Sequence, residues 1–100
     1  MELSTYLPQI MRRAANDPEL TKTALALLLA IIDGWVASGL KTPFRSSRRI
    51  LMTRSHIKST STYHKVIRDL QARGHLHYLP SYHPLKASEF ALVISTTSER

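Results

Sequence analysis

The side chains best placed to do chemistry lie between Ser59 and Pro80, in the stretch STSTYHKVIRDLQARGHLHYLP, and the chemistry they offer is anion recognition. Hydroxyls of Ser59, Thr60 and Ser61 open the stretch, His64, Lys65 and Arg68 follow, and Gly74 ends it. Tyr63, Val66, Ile67 and Leu70 fall at i, i+3, i+4 and i+7, so they share one side of a helix and the cations point elsewhere. A helix with one sealed face and one cationic face, beside a hairpin, has the form needed to lie in a DNA groove.

Charge gathers around this helix. The chain carries 14 Lys and Arg against 7 Asp and Glu, a net of +7. Ten of the basic residues (Lys41, Arg45, Arg48, Arg49, Arg54, Lys58, Lys65, Arg68, Arg73 and Lys86) lie between 41 and 86 with a single acid, Asp69. That window therefore holds +9 and the remainder −2. All five histidines lie there as well, so its positive charge grows as pH falls toward about 6.5. A basic patch confined to part of a small domain is the footprint of a nucleic-acid binder, although a membrane surface or an acidic protein also matches it.

Composition narrows the other classes. One hundred residues with 43% hydrophobic content suit one domain with one core, 1–100. The absence of cysteine removes disulfides, thiolate ligands and a cysteine nucleophile, and fits a reducing cytoplasm. The apolar run Ala24 to Ile32 is too short to span a bilayer and lacks signal-peptide flanks, so no membrane partner is expected. His75, His77 and His83 invite a zinc reading, with the first two expected on one strand face, but no cysteine and no carboxylate before Glu89 accompanies them. No metal and no cofactor are expected. Scattered carboxylates, three glycines and no G-x-S-x-G elbow argue against an enzyme.

Four helices can be placed by their punctuation. Pro8 suits the first turn of a short helix ending near Ala15, and Asn16, Asp17 and Pro18 break it. Asp17-Pro18-Glu19 reads as the start of a second helix, with Thr21 or Thr23 as alternative caps, running through ALALLLAIIDGWVAS to Gly39. That helix is apolar nearly all round, so it is the central one, and Trp35 is a core anchor. Gly34 within it suggests a close helix crossing or a kink. Leu40 to Arg45 suits a short extended piece at a sheet edge, and Ser46 or Ser47 caps a third helix ending near Ser55. Ser59 or Thr60 caps the fourth. His75–Leu79 and Phe90–Ser95 read as hairpin strands, with Pro80 to Leu85 between them.

This order resembles the winged helix-turn-helix family of DNA-binding proteins over roughly Thr21 to Ile94. Thr62-Tyr63-His64-Lys65, followed by Pro80-Ser81-Tyr82-His83-Pro84, Lys86 and Ser88, looks like small winged-helix proteins of bacterial mobile elements. Two features depart from the pattern: His56-Ile57-Lys58 replaces a glycine-containing turn, and Asp69 puts a negative charge on the fourth helix. The resemblance implies a mainly α fold of the α+β class. Its parts would be a three-helix core, an N-terminal helical extension (1–16), a winged-helix core (17–95) with a two-stranded wing, and a polar tail (96–100).

By position, the resemblance assigns Ser59, Thr60 and Ser61 to a phosphate at the helix start. His64, Lys65 and Arg68 fall to the major groove, with Arg68 suited to guanine. Tyr82, His83 and Lys86 fall to the wing, and Arg48, Arg49, Arg54 and Lys58 to the backbone. Tyr63 belongs to the core stripe. The implied partner is double-stranded DNA, and the implied role that of a small bacterial transcriptional regulator or mobile-element factor. Two alternatives are a module holding an acidic protein and a replication or recombination accessory factor. A homodimer through Leu7, Ile10 and Met11 of the first helix is a further expectation.

Overall fold

In the computed structural model, which describes residues 3–80 and 87–93, the apolar central run forms α2 (Lys22–Ala37). Thr21 caps it, its hydroxyl accepting from the Ala24 N–H at 3.1 Å. Asp17 to Leu20 form a turn before the helix instead of its first turn: the Asp17 carboxylate and carbonyl accept from the Glu19 and Leu20 N–H groups. α1 (Leu3–Ala15) begins five residues before Pro8, which therefore lies inside the helix and not at its start. Proline there removes one intrahelical donor. Ile10, Tyr6 and Ala14, packed against the core, hold the helix in place.

β1 (Phe44–Ser46), α3 (Arg48–Ser55), α4 (Thr60–Ala72), β2 (Leu76–Leu79) and β3 (Ser88–Leu92) follow. Ser47 caps α3 and Ser59 caps α4, each through its hydroxyl. His56 closes α3 with φ 62°, the left-handed conformation that the expected glycine would have adopted without strain. Its neighbour Ile57 drops into the core. Gly74, with φ 81°, reverses the chain between α4 and β2.

The sheet has three antiparallel strands in the order β1-β3-β2, where a two-stranded wing was expected. The piece before α3 pairs as a full edge strand, Phe44 opposite Phe90 and Ser46 opposite Ser88. That pairing also moves the last strand: it starts at Ser88, two residues before the expected Phe90, and ends at Leu92. Inward residues alternate along the pleat, so Phe44, Leu76, Phe90 and Leu92 are buried while His77 and Leu79 face out. Phe90 sits between Phe44 and Tyr78, with ring centroids 6.0 and 5.2 Å apart.

Four helices and this small sheet therefore make an α+β fold, with Trp35, Leu27 and Ile31 of α2 fully buried at its centre. Among the described residues no helix is long and apolar enough to cross a membrane. The close approach at Gly34 is to a strand and not to a helix: a Cβ there would stand 2.9 Å from Phe44 Cε2. Gly34→Ala should consequently cost about 1 kcal/mol, because overpacking of about 1–3 kcal/mol exceeds a helix-propensity gain of about 1. In a Phe44→Leu background the same change should stabilise. Urea unfolding of the four variants checks this, and equal effects in both backgrounds would clear the ring of responsibility.

Candidate nucleic-acid interface

The rotation of α4 is set by its apolar stripe. Tyr63, Val66, Ile67 and Leu70 are all buried, as their spacing requires, and they seal the helix against α2 and the sheet. Helical geometry then carries Ser61, Lys65 and Arg68, at i, i+4 and i+7, to the opposite side. All three are exposed, as are Ser59 and Thr60. His64 is different: it is half-buried, with its ring edge-on to Tyr63 at 5.3 Å, so it lies at the border of the face and not on it. Burial pushes the Tyr63 phenol well above its ordinary pKa, with Tyr78 adding to the rise and Arg48 opposing it. The phenol is therefore a neutral joint close to α3, α4 and β2.

The capping hydroxyl of Ser59 accepts from the Thr62 N–H at 3.3 Å and meets Ser61 Oγ at 2.9 Å. This arrangement fixes the first turn of α4. On α3, Arg48, Arg49, Met52 and Thr53 occupy one side and, with His56, Ile57 and Lys58 beyond its end, line an open groove of about 590 Å³. The groove has an apolar floor and a cationic rim. It leads directly into the turn before α4.

Ion pairs sort the cations. Arg54 is bonded to Asp33 of α2, Arg45 reaches Glu89 across the sheet at 3.0 Å, and Arg73 holds both Asp17 (3.2 Å) and Asp69 (3.0 Å). Arg54, expected on the DNA backbone, is thus already matched by a carboxylate. Asp69, expected to weaken the cationic helix, is matched by Arg73. Among the described residues no carboxylate lies within ion-pair distance of Arg48, Arg49, Lys58, Lys65 or Arg68. These five remain as free positive charge on α3, the turn and the outward side of α4.

No family model, curated protein or solved structure matches the chain.

Tyr82, His83 and Lys86 lie outside the described residues, so the expected wing contacts have no structural account here. The strands on either side of them are fixed: Leu79 pairs with Glu89, and Gln71 Oε1 accepts from the Tyr78 N–H at 2.8 Å, tying β2 to α4.

The histidines part company. His77 is exposed, whereas His75 is 4% exposed and its Nε2 lies 2.8 Å from Asp17 Oδ2, so the expected shared face does not form. His75 is a structural residue and does not face solvent or phosphate. Together with Arg73, it makes Asp17 the centre of a latch between the α1–α2 turn and the junction of α4 with β2. Arg13 extends the latch by donating to the Val93 carbonyl, while the Val93 N–H donates to the His75 carbonyl at 3.3 Å.

The hydrogen bond to His75, with the Glu19 N–H and the Arg73 charge, holds the Asp17 carboxyl below its ordinary 3.8 against the opposing effect of burial. A carboxylate with a depressed pKa adds stability that is complete above the unfolded value and disappears as pH falls through the folded one. Asp17→Asn should therefore lower the urea midpoint at pH 7, and its deficit should shrink below pH 3.8. Urea titrations across that range provide the check; a deficit independent of pH would mean that the carboxylate charge is not what the latch uses.

Proposed function

We propose that this protein is a non-enzymatic double-stranded DNA-binding protein of the winged-helix type, acting as a small bacterial transcriptional regulator or mobile-element DNA-binding factor. The observation that carries the reading is the segregation of charge: five unmatched cations share the α3 side, the turn and the outward face of α4, while neighbouring acids are matched elsewhere. The element order and the β1-β3-β2 sheet support the winged-helix assignment. α4 is 13 residues long, about 20 Å, and a helix about 10–12 Å across suits a major groove about 12 Å wide.

In this reading Arg68 and Lys65 meet base edges, with Arg68 forming a paired contact to guanine O6 and N7. The first turn of α4, with its Ser59 and Ser61 hydroxyls and unpaired backbone donors, meets a phosphate. Arg48, Arg49 and Lys58 neutralise flanking phosphates and fix the helix along the groove. His64 supports Tyr63 at the edge of the interface.

The three phosphates neutralised by Arg48, Arg49 and Lys58 imply that affinity for duplex falls about 40-fold between about 50 and 200 mM salt. Arg48→Ala should reduce that fall to about 12-fold and weaken all sequences alike. Arg68→Ala should cost about 1–3 kcal/mol on a selected site and relax the preference at one position. Fluorescence anisotropy with selected and random duplexes measures all three quantities. Salt-independent binding, or an Arg68→Ala variant with unchanged affinity and preference, would remove the basis for the assignment. An acidic protein partner would instead be indicated if duplex failed to bind while a polyanionic peptide bound through Arg48 and Arg49.

A further inference from the structure

The groove on α3 changes character along the chain. Its lining runs from cations, Arg48 and Arg49, through the apolar Met52 and Ile57 to a cation again, Lys58. The three cations are exposed, Met52 is half-buried and Ile57 is 7% exposed, so charge forms the rim and the two apolar side chains form the floor. Among the described residues no carboxylate lines it. The polar groups beside the floor already have partners. Thr53 Oγ1 donates to the Arg49 carbonyl at 2.8 Å, the Ile57 N–H to the Met52 carbonyl at 3.0 Å and the His56 N–H to the Thr53 carbonyl at 3.3 Å.

A ligand group that rests on Met52 and Ile57 therefore loses water without gaining a hydrogen bond from the floor. That loss is costly for a hydroxyl or an amide and favourable for C–H surface. A peptide brings an amide in every unit, so an acidic peptide suits the rim and not the floor. A DNA strand suits both: its phosphates alternate with sugars, and the surface between them on the major-groove edge is largely C–H. The sugar is the same at every nucleotide. What differs there is position 5 of a pyrimidine, which carries a methyl group in thymine and only hydrogen in cytosine.

We propose that the groove on α3 seats a pyrimidine 5-methyl group on the floor made by Met52 and Ile57, between phosphates held by Arg48 and Arg49 on one side and Lys58 on the other. The inference rests on the DNA-binding reading and adds to it a base preference supplied from outside α4: thymine or 5-methylcytosine over uracil or cytosine at one nucleotide. Lys58 directly precedes Ser59, the cap of α4, whereas Arg68 lies about 12 Å along the helix axis from Thr60. The methyl group and the guanine that Arg68 meets are therefore separate determinants of the site. Burying one methyl group is worth about fourfold in affinity.

Deoxyuridine removes the methyl group and keeps every hydrogen bond of the base pair. The test replaces each thymine of a selected duplex with deoxyuridine in turn and reads affinity by fluorescence anisotropy. Binding should weaken about fourfold at one thymine, and cytosine and 5-methylcytosine at that position should differ by about the same factor. Met52→Gln, with its fold checked by circular dichroism, should bring the thymine-to-deoxyuridine ratio there to about one. In the parent complex the same thymine methyl should show nuclear Overhauser contacts to the methyl groups of Met52 and Ile57, a readout that needs no variant. Salt-dependent duplex binding with no preferred thymine or no methyl effect, a methyl effect that folded Met52→Gln retains, or thymine contacts to α4 alone would overturn the inference and leave the DNA-binding reading standing. No duplex binding at low salt would overturn both.

Discussion

The burial of one side of α4 is the constraint on which the rest depends. Tyr63, Val66, Ile67 and Leu70 are 8% exposed or less, and burying each apolar side chain of this size contributes about 1.5–3 kcal/mol. Together they fix the rotation of the helix about its axis. A turn of one residue, about 100°, would swing Arg68 toward the core and lift Tyr63 into water. Every statement about which cations face outward follows from that one packed stripe, and α2 supplies the surface that receives it.

Around the stripe, polar contacts brace the ends of α4 without entering its exposed side. The Ser59 cap holds the first turn, Gln71 fastens the last turns to β2, and Arg73 and His75 converge on Asp17 just beyond. The same contacts settle the electrostatics. Asp69, the acid on α4, is absorbed by the bracing, and Arg54 is taken by Asp33, which leaves Arg48, Arg49, Lys58, Lys65 and Arg68 as unmatched cations where α3 turns into α4. The protein thus presents a cationic side built on α3 and α4, while the exposed Leu25, Leu29 and Val36 of α2 lie elsewhere, with Arg12 and Lys22 on the same two helices, α1 and α2.

The local parts of this arrangement were legible in the sequence because their causes are local. The i, i+3, i+4, i+7 stripe of α4, the serine caps of α3 and α4 to within one residue, the glycine stop at 74 and the buried Trp35 all follow from neighbours a few residues apart. What escaped depends on long separations. A short extended piece at a sheet edge was expected before α3, but its partner was not: the pairing of Phe44 with Phe90 joins it to β3 as a third strand, and β3 starts at Ser88. Asp17 meets His75 across 58 positions, and no spacing rule could reveal that an acid expected to start a helix is instead the centre of a latch. Gly34 signalled a close approach, but only the fold shows that the approaching group is the Phe44 ring. His56 replaces the missing turn glycine by adopting a left-handed conformation that its residue type does not announce.

The most direct test of the account is an amide chemical-shift map of the labelled protein titrated with a short duplex carrying its selected site. The account predicts that the shifts concentrate from Arg48 and Arg49, through Lys58, to Ser59–Arg68, and leave Leu25, Leu29 and Val36 on the far side of α2 unmoved. Shifts centred on the α1–α2 face with α4 silent, or none at all at low salt, would contradict it.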